Sequence, residues 1–579
     1  MVGELRPLLA VAIPAIAIPL ILAFGRRPNL REGWTLAAAF ATFATVASMV
    51  PDALSGTTLE TDLGTFLSTG IGESIAFSLR ADRLGVLFAL LASFLWIATS
   101  FYSIGYMRGL DEHDQTRFFA AFAASIASAM GVAFGANLVT LFVFYEVLSI
   151  ATYPLVAHDE SEEAIWAGRK YLLYTLGGGV AVLAGTVLIY AMTGTTTFET
   201  GGIAALGNAD PLYARAAFGL LVGGFGVKAA LMPLHSWLPD AMVAPTPVSA
   251  LLHAVAVVKS GVFGIARVVL DVYGPGAVQD LGVGIPLAAV AAVTLLTASV
   301  IALKQDNLKR RLAYSTVSQL SYIVLGLGLA SPAALVGALL HIPAHAFMKI
   351  TLFFCAGAIH VETHTDDISD MAGIGKRMPL TMSAFAVAAA GMAGMPLLAG
   401  FVSKWYLLVG AVDLNLAIFA VVLLVSGVLN VAYYWPIVYQ AFFEDETNPD
   451  PKPLLEYPPG GRAATDAGAD ADVPLTNGGV PTGAAVAAQS TADPDTGDGH
   501  YDEHTDERNG DSPDASEHES RPTDSRWERR TWRTESTWFM LGPIVLAAVG
   551  AVVLGLVPDH VVFLDLIERV VETATEVSN

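Results

Sequence analysis

Four lysines lie inside long apolar stretches of this 579-residue sequence, where a charged side chain is costly to bury. They are Lys228, Lys259, Lys349 and Lys404, out of nine lysines in the chain. An isolated charge at the centre of a lipid bilayer costs roughly 2.5–3.5 kcal/mol on insertion scales. Arginine stays charged in proteins, whereas a desolvated lysine can release its proton near neutral pH. Lysine therefore suits a buried site that binds and releases protons, and the alternative is a lysine that extends its ammonium group from a span end to water.

Glu146 is the acidic counterpart of these lysines. It lies near the middle of the apolar stretch NLVTLFVFYEVLSIATYPL, residues 137–155. Acids inside a membrane commonly belong to ion or proton pathways, and a structural ion pair is the alternative. Lys228 is a natural partner, because a carboxylate and a nearby lysine change each other's proton affinity.

A second group of titratable residues is spaced for one face of a helix. His341, His345 and Lys349 follow one another at intervals of four residues. Three such groups in a row favour a proton relay over a single hydrogen-bonded histidine. Metal binding is disfavoured, because no third His, Asp or Glu ligand is evident beside the histidine pair. Two further histidines, His235 and His253, are accessory candidates.

Two apolar stretches are interrupted beside one of the lysines. In the first, Lys228 precedes the proline-rich run MPLHSWLPDAMVAPTP, and in the second the run GMAGMPLLAG precedes Lys404. Broken helices at corresponding places in two halves of a chain indicate transport sites, whereas simple packing kinks are the alternative. The pairing suggests an internal duplication. The expected hinges are Pro233, Pro239, Pro396 and Gly400.

The composition predicts an all-α polytopic membrane protein. Hydrophobic residues make up 54% of the chain and charged residues 15%, and a span needs about 20 mostly apolar residues. We predict about fourteen transmembrane helices, near 5–25, 34–51, 83–106, 117–136, 137–157, 165–193, 213–233, 247–271, 284–303, 310–330, 332–359, 379–409, 413–442 and 536–557.

Several classes of function leave no signature in the sequence. It contains no P-loop, no G-x-S-x-G and no H-E-x-x-H motif. The single cysteine, Cys355, can form neither an internal disulfide nor an iron–sulfur cluster. We therefore expect no catalytic residue, metal or cofactor, and no nucleic acid among the partners.

Basic loops predict the orientation in the membrane. Arg and Lys cluster on the cytoplasmic side of membrane proteins. The basic segments fall on one side if the N-terminus is outside, provided that the sixth span begins just after GRK; they are RRPNLR (26–31), GRK (168–170), KQDNLKRR (304–311), GKR (375–377) and RWERRTWR (526–533).

Residues 444–530 differ from the rest of the chain. They carry about 21 acidic and about 7 basic residues, so roughly −14 of the net charge of −22 lies here. So polar a segment buries too little apolar surface to fold, which predicts a disordered cytoplasmic linker. Its acidic, lysine-poor composition is similar to that of proteins from salt-loving archaea. A docking tail for a partner is the alternative.

Several of these stretches together resemble a known family, the proton-translocating antiporter-like membrane subunits. They are LFVFYEVLSIATYPL, GVKAALMPLHSWLPDAMVAPTPVSALLHAVAVVKSG, KQDNLKRRLAYSTVSQLSY, HIPAHAFMKITLFFCAGA and GMPLLAGFVSKW. Such subunits occur in respiratory complex I, in membrane hydrogenases and in Mrp-type cation/proton antiporters. The resemblance covers about residues 80–440. Two positions depart from the family pattern: Leu397 replaces the second of two prolines, and Met242 replaces a histidine.

The resemblance implies fourteen helices with two inverted five-helix repeats, each containing a broken helix. It divides the chain into 1–110 (helices 1–3), 111–275 (first repeat), 276–443 (second repeat), 444–533 (linker) and 534–579 (last helix and tail). It also implies that a glutamate on the fifth helix pairs with a lysine on the broken seventh. The family's proton pathway maps onto Glu146, Lys228, Lys259, His341 or His345 with Lys349, and Lys404.

The resemblance to the D subunit of the Mrp antiporters is the strongest. It implies a secondary transporter subunit in the cell membrane, one that conducts protons in a hetero-oligomeric Na⁺/H⁺ antiporter with other membrane subunits. The alternative is a proton-pumping subunit of complex I or of a membrane hydrogenase, driven by electron transfer.

Overall fold

The computed structural model describes residues 5–68, 73–445, 456–457, 461–462, 527 and 529–576. Contacts gather residues 1–463 and 526–579 into one compact unit. Most of the acidic segment lies outside the described residues, so its disorder stays a prediction.

The N-terminal third of the bundle consists of helices and one hairpin. The hairpin is antiparallel and joins the third helix to the fourth. The elements are α1 (Arg6–Ala23), α2 (Pro28–Ala47), α3 (Val50–Ser55), β1 (Leu59–Leu67), β2 (Ile75–Ala81), α4 (Arg83–Gly109), α5 (Gln115–Phe134), α6 (Leu138–Val156) and α7 (Glu162–Thr193).

The middle and C-terminal parts are also helical, apart from a second short hairpin. Their elements are α8 (Pro211–Lys228), α9 (Trp237–Asp240), α10 (Thr246–Ala250), α11 (Val257–Arg267), α12 (Gly274–Asp280), α13 (Gly284–Leu303), α14 (Leu308–Leu329), α15 (Pro332–Thr363), α16 (Pro379–Ala393), α17 (Ala399–Asp413), α18 (Ala417–Phe443), β3 (Glu456–Tyr457), β4 (Gly461–Arg462), α19 (Trp538–Leu556) and α20 (Val562–Glu576).

The prediction of a polytopic helical membrane protein is confirmed. In the described part of the chain, twelve helices are long and apolar enough to cross a membrane. They are packed by depth: the spans containing α11 and α15 are wholly buried by their neighbours, whereas α1 and α2 are mostly exposed at the surface of the bundle. The inner spans can therefore carry polar groups that the outer ones would present to lipid. The total of fourteen helices and the inverted repeats stay predictions.

Both predicted interruptions occur, and each has a backbone cause. α8 ends at Lys228, and an irregular segment with Ala230 in the left-handed region (φ 54°) leads to α9. α16 ends before Gly394 (φ 91°), and α17 begins at Ala399. Pro233 lies in the first interruption and Pro396 in the second. Proline has no N–H to continue a helical ladder, which is why the helices stop here.

A feature that the sequence analysis did not predict lies in the span of α10 and α11. Residues 251–255 and 268–272 form π-helical turns on either side of α11. The first contains His253, and every residue of the α10–α11 span as far as Leu270 is buried. A π-turn accommodates one extra residue, which changes the direction of the side chains that follow it.

Several basic segments that were predicted to share one side do lie together. Arg31 donates to Gln115 (2.6 Å), and the backbone of Arg530 donates to the Lys376 carbonyl (3.1 Å). The prediction that the sixth span begins after GRK is wrong, because α7 begins at Glu162 and 168–170 lie inside it. Lys170 then pairs with Asp240 at the end of α9 (2.6 Å).

The segment before α19 is fixed to the bundle by buried polar contacts. The Glu535 carboxylate accepts hydrogen bonds of 2.8 Å from the backbone N–H groups of Leu380 and Thr381, in the first turn of α16. An acidic group at a helix N-terminus satisfies unpaired donors and complements the helix dipole. The neighbouring α15 carries Cys355, which is fully buried with its thiol directed at the Thr381 carbonyl (3.2 Å).

α7 and α8 cross at glycines whose backbones are in contact. A β-carbon added at Gly224 would lie 2.5 Å from the Gly178 carbonyl oxygen, and one at Gly178 would lie 2.8 Å from that of Gly224. Neighbouring Gly223 faces away, with no atom within 4 Å of such a carbon. The close approach of the two helices therefore depends on Gly178 and Gly224.

Replacing these adjacent glycines by alanine has opposite expected effects. Gly224→Ala forces the helices apart, and overpacking of this kind costs about 1–3 kcal/mol. Gly223→Ala relieves only the helix penalty of glycine, about 0.5–1 kcal/mol in favour of folding. Thermal unfolding of the purified variants in detergent measures both. Equal melting temperatures for the two variants would contradict this account of the crossing.

Candidate functional site

Lys228 is the last residue of α8 and is fully buried. Its Nζ donates to the backbone carbonyl of Tyr145 (2.5 Å) and lies 3.4 Å from the centroid of the Tyr145 ring. A lysine at a helix C-terminus also faces the negative end of the helix dipole. A carbonyl, an aromatic face and a helix end thus stabilise this cation where the helix breaks.

Glu146 follows Tyr145 on α6, at the partly exposed surface of the bundle. Its Oε1 has no hydrogen-bond partner, and a β-carbon on Gly179 of α7 would collide with the carboxylate. Within the described residues, no ion pair of 4.0 Å or less joins it to Lys228. The expected direct pairing is thus absent from this conformation, since the lysine binds the carbonyl of the preceding residue.

The strongest contact between predicted site residues joins Lys259 to His345. Nζ of Lys259 lies 2.7 Å from Nδ1 of His345 and 3.2 Å from the Ile342 carbonyl oxygen. Both side chains are fully buried. A lysine and an imidazole at this distance share one proton position, so a proton can pass between them along an existing hydrogen bond. The other ring nitrogen of His345 has no partner.

His341 continues the same face of α15 toward α17. Its ring centroid is 6.2 Å from that of His345. Nδ1 lies 2.8 Å from the Ser403 hydroxyl, and Nε2 lies 3.0 Å from the Gln319 side-chain oxygen. Because the amide oxygen can only accept, Nε2 carries the proton and Nδ1 accepts from Ser403.

Lys404, next to Ser403, repeats the arrangement of Lys228 in the second half of the chain. Its Nζ donates to the carbonyl of Met392, in the last turn of α16 (2.6 Å), and lies 4.6 Å from the centroid of Tyr322. Asn430 donates to the same carbonyl (3.2 Å). Each broken helix therefore brings a lysine against a backbone carbonyl and a tyrosine face.

Lys349 does not lie in this sequence of contacts. It donates to Ser315 (2.5 Å), the Leu312 carbonyl (3.2 Å) and Tyr434 (3.1 Å), which belong to α14 and α18. The equal spacing of His341, His345 and Lys349 places them on one helix, but their contacts diverge.

The two accessory histidines take different positions. His253 is fully buried with both ring nitrogens unpartnered, and its ring centroid lies 4.7 Å from that of Phe353. His235 lies in the first interruption, with its ring 6.3 Å from that of Tyr314. Neither contacts the Lys259–His345 pair by a hydrogen bond within the described part of the chain.

Sequence reasoning missed the polar partners of the site. They are Tyr145, Ser315, Gln319, Tyr322, Ser403, Asn430 and Tyr434. Gln319 and Asn430 had a usable signal, because an amide inside an apolar span needs a hydrogen-bond partner. The tyrosines had none, since aromatic residues are ordinary in buried spans.

A polar cavity of about 310 Å³ opens at the end of the bundle where the basic segments gather. Its charged or titratable lining is Glu112, His158, Asp159, Lys309, His360 and Asp366. Burial lowers the pKa of His158 to about 4 and raises the pKa of Glu112. The cavity therefore combines a neutral imidazole with several acids.

Comparison with protein families identifies two matching regions. Residues 135–430 match the family described as NADH:quinone oxidoreductase/Mrp antiporter, TM. Residues 68–119 match NADH-Ubiquinone oxidoreductase (complex I), chain 5 N-terminus. The first region includes every predicted site residue from Glu146 to Lys404.

Curated relatives come from both branches of this family. NADH-quinone oxidoreductase subunit N of Desulforudis audaxviator is 35% identical over 459 residues, which is 77% of this chain and 89% of the relative. One of the Na(+)/H(+) antiporter subunits of Alkalihalophilus pseudofirmus is 35% identical over 409 residues, 67% of this chain and 49% of the relative. The chain spans about half the length of that antiporter protein.

Solved structures show the same fold. A chain of the Mrp complex from Dietzia sp. DQ12-45-1b superimposes with a TM-score of 0.75 at 21% identity, covering 100% of this chain and 98% of that one. A chain of the membrane-bound sulfane sulfur reductase, an archaeal respiratory membrane complex, gives 0.66 at 25% identity, with 76% and 88% covered.

The exposure of Glu146 predicts its reactivity. A lipid-soluble carbodiimide should modify Glu146 in intact membranes, because its side chain is partly exposed at the surface of the bundle and its Oε1 has no hydrogen bond. Glu362, fully buried and bonded to Ser536 (2.9 Å), should remain unmodified. Peptide mass spectrometry reads both sites, with Glu146→Gln as the control. Modification of Glu362 in preference to Glu146 would contradict the described surface.

Proposed function

Since this chain belongs to the NADH:quinone oxidoreductase/Mrp antiporter family, we propose that it is the proton-conducting subunit of a multisubunit Na⁺/H⁺ antiporter. It acts as part of a secondary transporter rather than as an enzyme. The observation that carries the proposal is the buried Lys259–His345 contact of 2.7 Å, continued through His341 and Ser403 to Lys404. Such a row of titratable groups in the interior of a membrane protein suits proton transfer.

Proton uptake begins at Glu146 or Lys228. The two sit on opposite sides of Tyr145, which holds the lysine through its carbonyl. Protonation of the carboxylate removes a negative charge near Lys228 and frees its ammonium group to move away. The backbone next to Lys228 packs on Gly261, two residues from Lys259 on α11, so a change at the first lysine is felt at the second.

Transfer then follows the hydrogen bonds of α15. Lys259 gives its proton to Nδ1 of His345, whose free Nε2 can release one in turn. The next step, to His341, spans 6.2 Å between ring centroids and needs a ring rotation or a bridging water. Lys404 receives the proton beside Ser403, and Lys349 forms a side branch toward α18.

The cation and the partners follow from the antiporter assignment. The interior of the described chain has no cage of several acids around one point, so partner membrane subunits supply the Na⁺ path. The chain corresponds to the D subunit of the Mrp type, and its acidic linker fits a haloarchaeal source. It resides in the cell membrane with the N-terminus outside and the linker in the cytoplasm, which puts the basic segments inside.

The repeats divide the chain at the boundaries expected from the sequence: 111–275 and 276–443 are the two antiporter repeats, after helices in 1–110 and before the linker (444–533) and the last helix (534–579). The matching environments of Lys228 and Lys404 support this division. Pro233, Pro239, Pro396 and Gly400 are the hinges at which the two broken helices move.

A second candidate is a proton-pumping subunit of a redox complex such as complex I or a membrane hydrogenase. The relative from Desulforudis audaxviator favours it, because the match extends over 89% of a quinone oxidoreductase subunit. The same buried lysines and histidines would conduct protons, with electron transfer in partner chains as the driving force.

Replacing Lys259 tests the proton pathway. Lys259→Ala should lower Na⁺-dependent proton flux in reconstituted vesicles by roughly a hundredfold or more, the range of a positioned proton-transfer group. Lys259→Arg should be equally inactive, because arginine keeps its charge but does not release its proton. A pH-sensitive dye inside the vesicles measures the flux.

Exposed Lys304 provides the matched control. Lys304→Ala removes a lysine that lies outside the buried contacts and should leave the flux unchanged. Recovery of flux in Lys259→Arg would mean that only the positive charge matters there. That result would reject Lys259 as a proton carrier.

Purification in mild detergent from native membranes separates the two candidates. The antiporter assignment predicts small hydrophobic partner subunits without redox centres. Mass spectrometry of the partners is the measurement. Iron–sulfur or quinone-binding companions would instead assign the chain to a respiratory complex.

A further inference from the structure

Two loops at the polar end of the bundle bring together three side chains that the proton pathway does not use. Glu112 and His113 lie in the turn between α4 and α5, and His158 lies in the turn between α6 and α7. One donor atom from each of the three lies within 4.8 Å of the other two. The two histidines are far apart in sequence, which is why the sequence analysis expects no metal.

The two loops are held together by contacts that leave these donors available. Arg117 donates to the His158 backbone carbonyl (3.0 Å) and pairs with the Glu160 carboxylate. His113 also lies against the His158 carbonyl, at 3.1 Å through Nε2. Because a carbonyl only accepts, Nε2 of His113 carries the proton, and its Nδ1 keeps a free lone pair.

That lone pair faces the Glu112 carboxylate. Nδ1 of His113 and Oε2 of Glu112 are 3.8 Å apart, beyond hydrogen-bond distance. His158 completes the group: its side chain is fully buried, and neither ring nitrogen has a hydrogen-bond partner. Buried polar atoms are almost always paired, so an unpaired imidazole beside two other donors needs an explanation.

The donor set is one that binds transition metals. Two imidazoles and one carboxylate, with a fourth position left for water, form a common protein set for Zn²⁺. The bonds would be about 2.0–2.2 Å long, so the donors must move closer together. His113 and Glu112 can do so, because their side chains are 47% and 22% exposed. The neutral His158 ring offers a lone pair without losing a proton.

We propose that Glu112, His113 and His158 form a binding site for a divalent transition metal, Zn²⁺ or a close analogue, beside the polar cavity. Glu112 and His158 also line that cavity, together with Lys309 and Asp366. A bound dication adds positive charge where protons would enter the cavity. It should therefore slow proton uptake from this end, a consequence that rests on the proposed function.

Metal titration tests the site without any transport assay. The full chain in detergent is titrated with Co²⁺, whose visible spectrum reports tetrahedral nitrogen and oxygen ligands, and Zn²⁺ is then used to displace it. His158→Phe keeps an aromatic ring in the buried position, and His113→Gln changes a half-exposed side chain. Each should weaken Zn²⁺ binding on the order of a hundredfold or more, since even indirect partners of a metal contribute 10–100-fold.

His560 gives the matched control, because it is exposed at the far end of α19 and lies outside the three-residue group. His560→Asn should bind Zn²⁺ like the original chain. Binding that is equally tight in His158→Phe and His113→Gln would overturn the proposal, as would the absence of a tetrahedral Co²⁺ spectrum.

The effect on transport is measured separately in reconstituted vesicles. Zn²⁺ should inhibit proton flux in the original chain and not in His113→Gln. Metal binding without inhibition would reject the effect on proton entry while the binding site stands. A chain that binds Zn²⁺ but conducts no protons would refute the proposed function alone.

Discussion

The structure depends on placing positive charge in an apolar interior without a direct carboxylate partner. Lys228 and Lys404 each contact a main-chain carbonyl and the face of a tyrosine, and each of these contacts lies at an interrupted helix. Lys259 instead contacts an imidazole. These neutral partners stabilise an ammonium group less than an anion would, so either protonation state remains accessible. The helix breaks, the buried inner spans and the glycine crossing all follow from the need to bring such partners close.

Much of this could be read from the sequence, because the relevant signals are local. Lysines stand out in apolar stretches, and Pro and Gly runs mark where helices stop. Spacing places His341 and His345 on one face of α15, where the structure has them. The family resemblance added the order in which the residues act, which no single segment encodes.

Contacts between distant segments could not be read. The acceptors of Lys228 and Lys259 come from helices more than eighty residues away, and helical periodicity fixes only which face of its own helix a side chain occupies. Lys349 shows the limit: its spacing agrees with His345, but Ser315 and Tyr434 draw it to another neighbour. The π-turn at His253 is a similar case, since an extra residue in a turn depends on what packs around it.

The single thiol of the chain is enclosed in α15, with its sulfur against the Thr381 carbonyl. A maleimide in water has no route to such a group while the protein is folded. Cysteines introduced at the surface can therefore carry spin or fluorescent probes without first removing Cys355. Distances between pairs of such probes across the two broken helices would reveal, in the native-like chain, whether those helices change position when the pH on one side of the membrane is altered.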